Sequence, residues 1–107
     1  MLLSTTLFAG KADVIDVKVR CSGSCTFSVT LKHEDTGWDH YANEWIVVAP
    51  DGTELGSRVL YHPHVNEQPF TRSLSGVKIP AGVKTVTIKA KDKIHAFGGK
   101  EITVQIP

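Results

Sequence analysis

Along most of the chain, apolar and polar residues alternate with a period of two, the spacing of a strand that buries one face. In 13–20, Ile15, Val17 and Val19 share one face and Asp16, Lys18 and Arg20 the other. In 25–33, Phe27, Val29 and Leu31 point inward while Ser28, Thr30 and Lys32 point outward. Segment 44–49 is compactly apolar around Trp45, 53–61 is a weaker strand interrupted by Gly56, and 70–79 carries Leu74 and Val77. Alternation returns in 83–91, with Val86, Ile88 and Ala90 inward, and in 101–106, with Ile102, Val104 and Ile106. Pro50-Asp51-Gly52, Pro80-Ala81-Gly82 and Gly98-Gly99 punctuate the pattern with turn chemistry.

Seven such strands, with no helix-period segment, repeat or linker, predict an all-β protein. The expected architecture is a seven-stranded immunoglobulin/fibronectin type III-like antiparallel β-sandwich, a single domain over 1–107. Residues 1–12 read either as the remnant of a secretory signal or as a first strand: an apolar stretch is followed by small residues, but no basic segment precedes it. The last strand ends without a tail, so the pattern is expected to be a whole mature protein.

In such a sandwich the strands run alternately up and down, so successive connections fall at opposite poles. One pole then receives three simple turns. The other receives 33–41, 62–69 and 92–99. The chain has five histidines, and all of them fall at this second pole: His33, His40, His62, His64 and His95. The same loops carry Trp38, Asp39, Tyr41, Glu67 and Asp92. Loops at one end of a rigid sandwich are where such folds place function. Register sharpens the expectation. His33 has the parity of Phe27, Val29 and Leu31, and Asp92 that of Val86, Ile88 and Ala90, so both point inward and need partners.

Imidazole with carboxylate suits Fe, Zn, Cu or Ni, and ligands from separate loops are normal. His33, His40, Asp92 and His95 are the expected metal ligands. Trp38, Asp39, Tyr41, His62, His64 and Glu67 are expected as outer or ligand-contacting residues, with Glu67 also placed to accept from Arg72. His62 and His64 flank Pro63 and are expected to point apart. The competing expectation is an ion-free polar network in which His33 or His95 bonds Asp39 or Asp92 and locks the loops.

Composition narrows the partners. Lys and Arg number 12 against 11 Asp and Glu, a formal net charge of +1, so no field of one sign draws the chain to nucleic acid. No run of about 18 apolar residues is present, so no membrane span is expected. Edge-strand pairing offers a route to a homodimer. No serine sits in a nucleophile context and Gly98-Gly99 opens no helix, so no catalytic residue is assigned. The two cysteines, Cys21 and Cys25, flank Ser-Gly-Ser and are expected to form a disulfide if two strands meet there, which points to a periplasmic or secreted location.

Segment 33–46 resembles the iron-binding segment of superoxide reductases of the desulfoferrodoxin and neelaredoxin type. That pattern is a His, a short acidic stretch, His-Tyr, then Glu-Trp-Ile, here His33, His40, Tyr41, Glu44, Trp45 and Ile46. The family's Cys-x-x-His-Gly is matched by Asp92-Lys-Ile-His95-Ala96, with Asp92 in the cysteine's place. The resemblance implies an immunoglobulin-like sandwich and an ion pocket, without the electron-rich thiolate of the family's chemistry. Over 26–70 the chain also resembles ApaG proteins: Phe27-Ser-Val-Thr-Leu31, Trp45-Ile46, Asp51-Gly52 and Val65-Asn-Glu67-Gln68-Pro69 follow in order. That resemblance implies a fibronectin-like module that binds rather than catalyses.

The expected function is therefore a small non-catalytic module that binds a transition metal, an unknown protein or a small ligand at its His-rich pole. The alternatives are a superoxide reductase-like iron enzyme and an ApaG-like protein-interaction domain without metal.

Overall fold

A computed structural model describes residues 10–107. Eight strands follow in order: β1 (Asp13–Ser22), β2 (Ser24–Lys32), β3 (Ala42–Val48), β4 (Glu54–Val59), β5 (Phe70–Val77), β6 (Thr85–Asp92), β7 (Ala96–Phe97) and β8 (Ile102–Gln105). All pairings are antiparallel. One sheet has the order β1-β2-β5; the other has β4-β3-β6, with β7 and β8 sharing the far edge of β6. The expected all-β sandwich is present.

Alternation explains the layers. In β2, Phe27, Val29 and Leu31 are wholly buried, and in β6 Val86, Ile88 and Ala90 meet them from the opposite sheet. Trp45 fills the centre from β3 with no exposed surface. Burying each large side chain of this kind stabilises the fold by about 2–3 kcal/mol. The outward residues of β2 and β5 form a hydroxyl ladder, Ser28 with Ser73 at 3.0 Å and Thr30 with Thr71 at 2.7 Å.

Two expectations are corrected. Ile15 is not inward: it is 40% exposed, and Val14 is the buried residue. A register shift between Val14 and Asp16 marks a β-bulge that turns Ile15 outward while leaving the rest of the strand in phase. The strand count is eight rather than seven, because the expected 92–99 loop contains a two-residue strand, β7. Between β7 and β8 the chain leaves β6 and pairs instead with the start of β1. The Val14 amide donates to the Lys100 carbonyl (2.8 Å) and the Lys100 amide to Asp13 Oδ1 (2.7 Å). The approach is so close that a Cβ on Gly99 would lie 1.9 Å from the Ala12 carbonyl oxygen.

Residues 10–12 contain no strand, and the rest of the 1–12 segment lies outside the described residues. Cys21 and Cys25 face each other across the β1–β2 hairpin and are joined by a disulfide, with Cα atoms 4.0 Å apart. This hairpin shares its pole with the turns after β3 and β5. The opposite pole gathers the β2–β3, β4–β5 and β6–β7 connections together with the Gly10–Ala12 segment. Among the described residues no helix is long and apolar enough to cross a membrane.

Candidate metal centre

β6 ends in Asp92, whose two carboxylate oxygens have separate roles. Oδ1 accepts the backbone amides of Ile94 (2.9 Å) and His95, closing the turn into β7. Oδ2 points into the pole and meets three imidazoles: His33 Nε2 at 3.0 Å, His95 Nδ1 at 3.1 Å and His40 Nε2 at 3.4 Å. Burial pushes the Asp92 carboxyl up. The hydrogen bonds from the His95 amide and ring and from the Ile94 amide, with the neighbouring His33, outweigh it and hold the carboxyl below its ordinary value.

His33 leaves the end of β2 with its side chain fully buried, as its parity dictates. Its Nδ1 donates to Asp35 Oδ1 at 2.5 Å. Asp35 also accepts the Ala42 amide through Oδ1 (3.1 Å) and the His64 amide through Oδ2 (2.6 Å), so one buried carboxylate fastens the β2–β3 loop to the β4–β5 loop. Gln68 repeats the fastening: its Oε1 accepts the His33 amide (3.0 Å) and its Nε2 donates to the His64 carbonyl (2.9 Å).

The donor count at His33 is then unbalanced. With Nδ1–H given to Asp35, a neutral ring presents a bare lone pair at Nε2. That lone pair faces Asp92 Oδ2 at 3.0 Å and the Gly10 carbonyl oxygen at 2.9 Å, both acceptors. Only a proton or a metal cation between these atoms converts the repulsion into bonding. Two carboxylates without exposed side-chain surface, Asp35 and Asp92, supply the negative charge that either would compensate. His33, His40 and Asp92 form a group able to hold a metal ion: each offers one ligand atom, and these atoms lie within 4.8 Å of one another. His95 adjoins the group through Asp92. The imidazoles of His40 and His95 are 22% and 35% exposed, so the group is dry on the His33 side and open to water on the other.

The remaining expected residues fall around this core. His64 stacks on Phe70 with ring centroids 4.0 Å apart, and its Nε2 accepts from Arg72 (3.0 Å), leaving the buried Nδ1 without a partner. Burial, Arg72 and His62 lower its pKa, against a smaller opposing pull from Asp35 and Glu67. His62 and His64 do not point apart. Their ring centroids are 4.6 Å apart, because the chain bends at His62 instead of running extended. Arg72 also donates to Glu67 at 3.3 Å. Trp38, His62, His64 and Glu67 line an open cleft of about 560 Å³ at the same pole. Trp38 is 63% exposed and packs edge-on against Tyr41, over which Lys93 lies.

Two participants were not foreseen. The ion-free network was expected to use Asp39 or Asp92, but Asp39 is exposed and Asp35 takes its place. The signal was available: Asp35 continues the inward parity of Leu31 and His33. The Gly10 carbonyl has no side-chain signal and is visible only in three dimensions.

No protein-family profile matches the chain, and no solved structure matches it. The chain is similar to a protein of Halomicrobium mukohataei described as "Putative lipoprotein", with 40% identity over 96 residues. The match covers 88% of this chain and 47% of that protein, so the chain spans about half the length of this relative.

Proposed function

We propose that this chain is a small extracytoplasmic binding module whose loop pole holds one divalent transition-metal ion on His33, His40 and Asp92, with His95 adjoining. The observation that carries the proposal is the lone-pair conflict at His33 Nε2, which faces two oxygens while Nδ1 is committed to Asp35. The donors are nitrogen and oxygen without thiolate, a set that suits Zn(II), Cu(II), Ni(II) or Fe(II) and disfavours Cu(I). The extracytoplasmic location is supported by the Cys21–Cys25 disulfide and by the description of the relative.

The superoxide reductase resemblance draws on the same histidines. Asp92 stands where that family has its thiolate, so ion binding is favoured over superoxide chemistry. A second reading, a module that binds a small ligand or protein through the cleft at this pole, is favoured by the exposed Trp38 on its wall. The ApaG resemblance is compatible with that second reading.

The test is metal uptake by the purified chain after chelator treatment. One equivalent of Zn(II), Cu(II), Ni(II) or Fe(II) is expected to bind, and His40→Ala, at a partly exposed position, is expected to weaken binding by at least about tenfold. Absence of uptake for all four metals, or equal uptake by His40→Ala, would overturn the proposal.

A further inference from the structure

We propose that the main-chain carbonyl of Gly10 is a further ligand of the same cation, so that the ion clasps the N-terminal segment onto the loop pole. The inference rests on the metal-binding reading above and extends it to a residue with no side chain.

The Gly10 carbonyl oxygen lies 2.9 Å from His33 Nε2 and 3.2 Å from His40 Nε2. Asp92 Oδ2 lies 3.0 and 3.4 Å from the same two nitrogens. Two oxygens and two nitrogens thus alternate around a small quadrilateral with edges of 2.9–3.4 Å. Metal bonds of about 2.1 Å to nitrogen and oxygen separate neighbouring ligands by about 3.0 Å at octahedral angles and about 3.4 Å at tetrahedral ones. The edges match that span. In the ion-free alternative both imidazoles share the same two acceptors, the Gly10 carbonyl and Asp92 Oδ2.

The segment is seated by backbone contact. A Cβ on Gly10 would lie 2.2 Å from His95 Cε1, so the main chain rests directly on the His95 ring and any side chain there would push it away. Two residues later Ala12 is buried against Gly99. Between them Lys11 lies along Gly98, its Nζ 3.0 Å from where a Cβ would stand. A glycine on each side lets the segment thread between the β6–β7 turn and the gap before β8. The carbonyl is thereby aimed at the two nitrogens.

If the cation joins Gly10 to His33, His40 and Asp92, it binds only the seated form of the segment and suppresses its local opening. Lys11 supplies the probe, because trypsin cleaves after it only when the segment lifts. The experiment times cleavage at Lys11–Ala12 by mass spectrometry on the full chain, with excess Zn(II) and with chelator, for wild type and Gly10→Ala. Zn(II) is expected to slow wild-type cleavage by about tenfold or more and to leave Gly10→Ala unprotected. In parallel, the carbonyl carbon resonance of Gly10 in 13C-labelled wild type is expected to shift on Zn(II) addition. This second measurement needs no variant and stands if Gly10→Ala fails to fold. Stoichiometric Zn(II) uptake with unchanged cleavage and an unmoved Gly10 resonance would overturn the clasp while leaving the metal site intact. No Zn(II) uptake would overturn both.

Discussion

The Oδ2 atom of Asp92 lies 3.0 Å from Nε2 of His33, across 59 residues of sequence and with both side chains fully buried. His33 follows directly on β2 and Asp92 ends β6, each in phase with the inward-facing row, and the two strands belong to opposite sheets. The contact therefore closes the end of the sandwich core with charge. Asp92→Asn keeps the shape and the turn-closing oxygen but removes the charge. It is expected to abolish stoichiometric metal uptake. Breaking the buried pair is also expected to cost roughly 3 kcal/mol of stability. Urea denaturation of the metal-free protein checks the second effect as a lower midpoint at unchanged slope.

Asp35 and Asp39 lie in one loop and have opposite fates. Asp35 is buried and accepts from His33, Ala42 and His64, whereas Asp39 is exposed. Asp35→Ala is expected to destabilise the fold by about 3 kcal/mol or more, and Asp39→Ala by less than about 0.5 kcal/mol. Thermal melts of the two variants side by side distinguish them.

The lowered pKa of His64 sets an acid limb of stability. Its native value lies below the ordinary 6.5, so the unfolded chain takes up the proton first. The stability it contributes is complete above that ordinary value and is lost as pH falls through the lowered one. One such group gives a slope of at most about 1.4 kcal/mol per pH unit. His64→Phe keeps the stacking on Phe70 and cannot titrate. It is expected to flatten the dependence of Tm on pH below 6.5, measured against wild type by calorimetry.

The Cys21–Cys25 bridge closes a loop of sequence separation 4 at the pole opposite the metal group. Chain-entropy arguments give such a short loop about 2 kcal/mol. Cys21→Ser with Cys25→Ser is expected to lower stability by that amount or less and to leave metal affinity unchanged. Denaturation and metal titration of the same sample separate the two effects.

The layers were legible in the sequence because alternation is a local signal: Phe27, Val29 and Leu31 announce the core, and His33 follows in phase. The gathering of the imidazoles was also legible, because strand direction alone assigns loops to poles. What escaped is non-local or breaks phase. The bulge at Val14–Asp16 reverses Ile15 without any marker in the alternation. The short strand β7 inside the 92–99 loop has no alternation to announce it, and the bend at His62 brings His62 onto His64 against the extended geometry that a residue before proline favours. The Gly10 carbonyl belongs to the same class: main-chain atoms carry no residue-type signal.

The proposed cation would sit among His33, His40 and Asp92. Crystals of the full chain grown with Zn(II), measured on both sides of the zinc absorption edge, test it most directly. One anomalous peak is expected about 2.0–2.2 Å from His33 Nε2, His40 Nε2 and Asp92 Oδ2. A fully ordered pole with no peak there, and with His33 donating a proton to Asp92 in its place, would contradict it.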